Sequence, residues 1–172
     1  MMEFIKTQTG LKLKVNPSEF DSYRLYASVK ADPNGFEMLL GVPYSRESVR
    51  KFKQYFSKFN MCYPLYGKRL RFLGYVGVTE LIDNNEAVIE FYIVKKHRNK
   101  GYAYEACRAL MKYTVSFYKG LNKFTALCSV DNLPSQNLLK KLGFKPKEEI
   151  VILMLIDETL LEKTCRQYML EL

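Results

Sequence analysis

The chain has 172 residues, 48% of them hydrophobic and 26% charged, a balance that supplies one sizeable core and argues against disorder. Lys and Arg outnumber Asp and Glu by 27 to 18, and the formal charge of +9 suits an anionic partner or a soluble basic surface. The longest apolar run, Ile150 to Ile156, is far below the roughly 20 residues that cross a bilayer, and Met1-Met2-Glu3-Phe4 lacks the basic and apolar regions of a secretory signal. Cys62, Cys107, Cys128 and Cys165 contain no C-x-x-C pair, which excludes zinc-ribbon and dithiol redox motifs. Free thiols of this kind fit a reducing, cytoplasmic compartment without a membrane partner.

Phe4 to Val15 alternates around Gly10 and predicts a strand or short hairpin. Pro17 and Ser18 open a helix through about Lys30, with Phe20, Tyr23 and Ala27 on one side. Asp32-Pro33-Asn34-Gly35 reads as a turn, Gly41 to Tyr44 as a loop, and Ser45 as the N-cap of a further helix. That helix carries Val49, Phe52, Phe56 and Phe59 on one stripe and Arg50, Lys51, Lys53 and Lys58 on the other. Phe72 to Leu81 is β-rich, Asp83-Asn84-Asn85 is a turn, and Ala87 to Val94 is nearly continuous apolar sequence, as a central strand requires. Gly101 to Lys119 is the strongest helix, with Ala103, Ala106, Leu110 and Phe117 aligned, Glu105 in its first turn and Gly120 after it. A strand at Phe124 to Val130, a short helix at Ser135 to Leu142, a strand at Ile150 to Ile156 and a helix from about Glu158 to Leu170 complete the chain. No repeat or linker divides it, so residues 1–172 are read as one mixed α/β domain. An antiparallel hairpin leads into strand–helix–strand–helix–strand.

The chemistry concentrates in Val94-Lys95-Lys96-His97-Arg98-Asn99-Lys100-Gly101-Tyr102-Ala103, where a buried strand turns through basic residues into the best helix. A helix N-terminus leaves N–H groups unpaired and carries about half a positive charge. A glycine-containing turn in front of it is suited to a pyrophosphate. A basic surface loop that merely caps its helix explains the same residues on physical grounds alone. Neither G-x-x-x-x-G-K-[ST] nor G-x-G-x-x-G is present.

Arg98-Asn-Lys-Gly101-Tyr-Ala103, followed by Tyr-Glu105-Ala, resembles the R-x-x-G-x-A pyrophosphate loop of the GNAT superfamily of acetyl-CoA-dependent N-acetyltransferases. Asn132-Leu-Pro-Ser135 followed by Leu139-Lys-Lys-Leu-Gly143-Phe144 resembles its N-x-x-S…L-x-x-x-G-F segment. The two motifs stand in the family's order, and their forms are most similar to the branch of ribosomal-protein N-terminal acetyltransferases. The resemblance implies an α/β (α+β) fold with a mixed, mostly antiparallel central sheet of six to seven strands flanked by helices. A V-shaped splay would separate two central parallel strands.

On these residues the resemblance implies acetyl-CoA as cosubstrate and no metal. The backbone of Arg98, Asn99, Lys100, Gly101, Tyr102 and Ala103 would hold the pyrophosphate. Tyr92, Ile93 and Val94 would pair with the pantetheine arm, and Asn132 and Ser135 would face it. Lys100, Lys140 or Lys141 would meet the terminal phosphate. Glu90, which interrupts an apolar strand, is the candidate base, the Val94 N–H the oxyanion donor, and Ser135 the candidate acid, because Leu139 stands where many relatives have a tyrosine. Glu90 also suits a purely structural role at the strand's mouth. His97 reads as an exposed loop residue, and Cys107 and Cys128 as packing. Asp157 and Glu158 read as the start of the last helix, and Tyr44, Tyr63 and Tyr66 as neighbours of the acceptor.

The expected reaction is acetyl transfer to a primary amine, either a protein N-terminus or a small amine. A non-catalytic coenzyme A-binding relative is one alternative. An RNA- or ribosome-binding module using the basic helix and Lys68-Arg69-Leu70-Arg71 is another, although no nucleic-acid motif supports it. Many relatives pair as homodimers, and the acceptor is not encoded in any motif.

Overall fold

The computed structural model describes residues 3–40, 44, 45, 48, 61–83, 85–156 and 159–172. Strands β1 (Phe4–Lys6) and β2 (Lys12–Lys14) form the expected hairpin, with Gly10 at a φ of 91° in its tip. Helix α1 (Glu19–Lys30) follows, but its buried side is Asp21, Leu25 and Val29, and Phe20 and Tyr23 are exposed. A carboxylate at a buried position disguises the stripe. Asp21 is covered because it accepts from the Ser18 N–H at 2.7 Å and from Lys14 and Tyr66. Phe20 instead lies under the Arg24 guanidinium, 4.4 Å from its ring centroid.

Asp32-Pro33-Asn34-Gly35 is not a turn but the start of helix α2 (Pro33–Leu40), where Asp32 Oδ1 accepts the Gly35 N–H at 3.2 Å. Proline tolerates the first helical position because its missing N–H would have no partner there. Ser45 and Ser48 make the reciprocal bonds that a cap would make: Ser45 Oγ accepts the Ser48 N–H at 3.0 Å, and Ser48 Oγ accepts the Ser45 N–H at 2.8 Å. The expected stripe Val49, Phe52, Phe56 and Phe59, its basic face and the loop at 41–43 lie outside the described residues, as do Asp157 and Glu158.

The remaining elements are β3 (Cys62–Tyr66), a 3-10 turn at Lys68–Leu70, β4 (Phe72–Ile82), β5 (Glu86–Ile93), a 3-10 turn at Lys95–His97, and α3 (Tyr102–Phe117). They are followed by β6 (Lys123–Ser129), α4 (Leu133–Lys141), β7 (Lys145–Ile156) and β8 (Thr159–Glu171). Among the described residues the sheet has eight strands, not six to seven, in the order β1-β2-β3-β4-β5-β6-β8-β7. Every neighbouring pair is antiparallel apart from β5 and β6.

The extra strand is the segment expected to be the last helix. Leu, Glu, Lys, Gln and Met favour a helix in isolation, yet β8 is paired with β6 from Lys123↔Glu171 to Ser129↔Cys165 and with β7 along its other side. Cys165 and Tyr168 are both buried, three residues apart, because the two faces of β8 are each covered. A strand covered on both faces loses its alternation and imitates a helical spacing.

Two cores sandwich the sheet. Leu25, Val29 and Phe36 of α1 and α2 pack on Cys62, Tyr75 and Tyr92 on one face. Ala106, Cys107 and Leu110 of α3, with Leu139 of α4, pack on Val76, Ile89, Ile93, Phe124 and Ala126 on the other.

Candidate active site

The site originates in a failure of pairing. The parallel strands β5 and β6 are joined only at Glu86↔Lys123, Ala87↔Phe124 and Val88↔Thr125, although β5 runs on to Ile93 and β6 to Ser129. Beside the point of parting, a register shift between Val78 and Glu80 leaves Thr79 as an extra residue in β4, and such bulges increase the local twist. The wedge between the strands forms a cleft of about 560 Å³. Its walls include Glu90, Tyr92, Ile93, every residue from His97 to Tyr104, Asn132, Ser135, Leu139 and Lys141.

Glu90 occupies the α1–α2 side. Its cross-strand row is Cys62, Gly77 and Glu90, so the bare Gly77 puts no side chain between the carboxyl and Cys62. The Tyr75 hydroxyl donates to Glu90 Oε1 at 2.8 Å. Burial pushes the Glu90 carboxyl up to about 7, and the Tyr75 hydrogen bond offsets only part of that rise. The same burial, with the nearby charges of Glu90 and Asp21, pushes the Cys62 thiol well above its ordinary range. A half-buried carboxyl that titrates near neutrality on a cleft wall is equipped for proton transfer.

The other end of the cleft is made of main chain. Asn99 and Gly101 take left-handed φ angles of 59° and 77°. Gly101 is the N-cap of α3 and brings no side-chain cap. A Cβ placed on Gly101 would meet nothing within 4 Å. Glu105 N–H bonds to the Gly101 carbonyl at 3.1 Å, which leaves the N–H groups of Tyr102, Ala103 and Tyr104 without acceptors in their own helix. The uncapped end of this helix of 16 residues presents unpaired N–H groups and a partial positive charge, the chemistry that suits an anion. Lys100 and Lys141 share the wall, and Lys141 Nζ lies 4.9 Å from the Tyr104 ring centroid.

Two loop side chains behave otherwise than expected. His97 is not exposed: it is 6% accessible, and its Nε2 is buried without a hydrogen-bond partner among the described residues. Burial, with the charges of Lys96, Lys100 and Arg71 behind it, lowers its pKa and keeps it neutral. Arg98 turns its guanidinium inward, donating from Nε to the Ile93 carbonyl at 2.9 Å and pairing with Asp32.

On the far wall Asn132 caps α4, its Oδ1 accepting the Ser135 N–H at 3.2 Å, which gives the N-x-x-S spacing a physical reason. Gln136 donates to the Val130 carbonyl at 2.7 Å and accepts from the Tyr168 hydroxyl at 3.0 Å, locking the helix to β6 and β8. Among the described residues no three His, Cys, Asp or Glu side chains gather as a metal would require.

Comparison with known proteins agrees with this geometry. Residues 13–145 match the model of the acetyltransferase (GNAT) domain. The chain belongs to the GNAT acetyltransferases. It is 39% identical over 71 residues to the uncharacterized N-acetyltransferase YjdG of Bacillus subtilis (strain 168), a stretch covering 41% of this chain and 40% of that protein. The Salmonella typhimurium acetyl transferase that modifies the N-terminal serine of ribosomal protein L7/L12 superposes with a TM-score of 0.74 at 19% identity, covering 99% of both chains. Spermidine N-acetyltransferase from Vibrio cholerae, in complex with CoA and spermine, gives 0.72 at 15% identity over 94% of this chain and 95% of its own. At such identities the likeness carries the fold and not the acceptor.

The GNAT family's cosubstrate fits the described walls. The uncapped α3 terminus offers N–H groups to a diphosphate, and His97 Nε2 is a buried polar atom that a ligand in the cleft can satisfy. Of the residues read as cofactor- or proton-handling, Lys140 does not line the cleft, and neither does Val94. Its N–H donates to the Leu73 carbonyl at 2.9 Å and its side chain packs toward α1 and α2, so it is not an oxyanion donor. Strand alternation instead turns the N–H of Ile93 toward the opening.

The tyrosines expected near the acceptor do not line the cleft of this GNAT chain and make internal contacts. Tyr63 packs on Tyr113 with ring centroids 5.9 Å apart, Tyr66 donates to Asp21, and Tyr44 donates to the Lys30 carbonyl at 2.9 Å. Cys107 is core, whereas Cys128 also reaches the cleft wall. The sequence reading missed Gly35, Thr79, Ile152, Lys163 and Cys165, which line the cleft as well. The Asp-Pro helix start announces Gly35's surroundings; no sequence signal marks the Thr79 bulge.

Proposed function

We propose that this protein transfers an acetyl group from acetyl-CoA to a primary amine, a protein N-terminus or a small amine, within a ternary complex. The observation that carries the reading is a half-buried carboxyl with a pKa near 7 in the same cleft as an uncapped helix N-terminus, between strands that have parted. Acetyl-CoA supplies an activated acetyl thioester. The amides from Arg98 to Ala103 hold its diphosphate, with Lys100 and Lys141 adding positive charge, and the unpaired edge of β5 at Tyr92 and Ile93 accepts its extended arm as an added strand.

An amine with a pKa near 10.4 is a free base in only about one molecule in a few thousand at pH 7. Glu90 takes that proton, directly or through water, and a carboxyl titrating near 7 is matched to the task. The N–H of Ile93 lies on the side where charge develops. Ser135 protonates the leaving thiolate, with solvent as the fallback, because Leu139 is 1% accessible and offers no proton.

The experiment is a panel of amines, including N-terminal peptides, polyamines, amino sugars and amino acids, assayed with acetyl-CoA for released thiol. At least one acceptor is expected to release thiol in proportion to acetylated product. Coenzyme A binding without release from any acceptor supports the non-catalytic reading that Leu139 invites.

A further inference from the structure

Asp32 lies 66 residues before Arg98 in the chain, at the junction of α1 and α2, and is 3% accessible. Its Oδ1 accepts the Gly35 N–H, and its Oδ2 accepts both from Arg98 Nη2 and, at 3.3 Å, from the Tyr92 hydroxyl. Arg98 also lies 5.6 Å from the Tyr92 ring centroid, and the single Tyr92 hydroxyl proton is shared between Asp32 Oδ2 and the Ser28 carbonyl, 3.2 Å away. Gly35 is bare where this cluster needs room: a Cβ there would overlap the Asp32 carboxylate and the Arg98 guanidinium. Lys95, Lys96, Asn99 and Lys100 around them are exposed, so Arg98 and His97 are the loop residues drawn into the body of the protein, and Arg98 is the one that meets a carboxylate there.

We infer that Asp32 is a positioning residue for the cofactor loop, holding the Arg98–Gly101 turn in its binding shape through the Arg98 guanidinium. The inference rests on the proposed role of that turn as the diphosphate seat. The Asn99 and Gly101 backbone lies in the left-handed region, a conformation that persists where its surroundings hold it. Removing Arg98 leaves the buried Asp32 carboxylate without its cation, and removing that carboxylate frees the part-exposed Arg98 side chain; either change releases the loop.

The test is calorimetric titration of the full chain with coenzyme A at a temperature well below unfolding, alongside steady-state kinetics. Asp32→Asn and Arg98→Ala are each expected to weaken coenzyme A binding about tenfold and to raise the KM for acetyl-CoA, with kcat at saturation held within about twofold. The double variant is expected to bind no worse than the weaker single one, the signature of two residues acting as a unit. Arg98→Lys keeps the charge beside Asp32 and is expected to recover most of the affinity. Should Asp32→Asn not fold, Arg98→Ala carries the test from the more accessible partner. Unchanged affinity in folded variants, with only thermal stability lowered, overturns the inference. A wild-type chain that binds no coenzyme A overturns the proposed function and this inference with it.

Discussion

The two ends of the cleft are built from different materials. At the α3 end the groups that face the opening are main-chain amides, set by the left-handed Asn99 and Gly101 and by a missing cap. At the Glu90 end they are side chains whose character depends on neighbours, with Tyr75 beside the carboxyl and bare Gly77 next to it. A seat made of amides tolerates many side chains so long as the backbone keeps its path. A carboxyl tuned by burial has no such tolerance. Substitutions should therefore separate affinity from turnover according to the end they strike.

The largest effect belongs to Glu90. Glu90→Gln should lower kcat by about a hundredfold or more and leave coenzyme A affinity within about twofold. In the wild type, kcat/KM should rise with pH and level off above about 7, and the variant should lose that limb. A variant with unaltered turnover across pH removes Glu90 as base. Stability runs the other way. A carboxyl whose folded pKa is raised destabilises the protein as pH climbs from its unfolded value to about 7, so Glu90→Gln should melt higher than the wild type at pH 8.

Next comes the amide end. Gly101→Val places a β-branched residue in a left-handed conformation, at a strain of about 1–2 kcal/mol, and projects a side chain into the open space before the helix. Coenzyme A affinity should fall about tenfold with kcat at saturation little changed. Normal binding by that variant counts against the diphosphate seat. Smaller again, Lys100→Ala and Lys141→Ala should each weaken coenzyme A about twofold to fivefold, more at low salt than high, because these charges are exposed. A salt-independent loss would place them in direct, desolvated contact.

Asp21→Asn serves as the control outside the cleft. Burial alone would raise the Asp21 carboxyl, but hydrogen bonds from Lys14, Ser18 and Tyr66 outweigh it and hold the pKa at about 2. A depressed carboxyl contributes stability above pH 4 that is lost as pH falls toward 2. The variant should lose about 2 kcal/mol of stability at neutral pH, flatten the acid limb of the melting curve, and leave both KM values unchanged.

The amide end was also the more readable in the sequence. Its glycine, basic turn and helix are contiguous, so Arg98 to Ala103 and Asn132-x-x-Ser135 could be assigned as units, and β5 could be read from its apolar run. The Glu90 end assembles from Cys62, Tyr75, Gly77 and Glu90, which no spacing rule connects. His97 was misread because a lone basic-loop histidine gives no sign of being folded inward. The inward turn of the Arg98 side chain was not legible, because nothing near it in sequence announces a carboxylate 66 residues away. In the fold, β8 escaped detection for the same reason, since its strand character comes from partners on both sides rather than from its own alternation.

Outer strands of a sheet invite unwanted pairing, and here one outer strand is only three residues long while the other opens with Lys145, Pro146, Lys147 and two glutamates. The parting of β5 from β6 creates another such border in the middle of the molecule, guarded by neither brevity nor charge. Residues of α2 and α3, Gly35 and Tyr102 among them, line that border on its two sides.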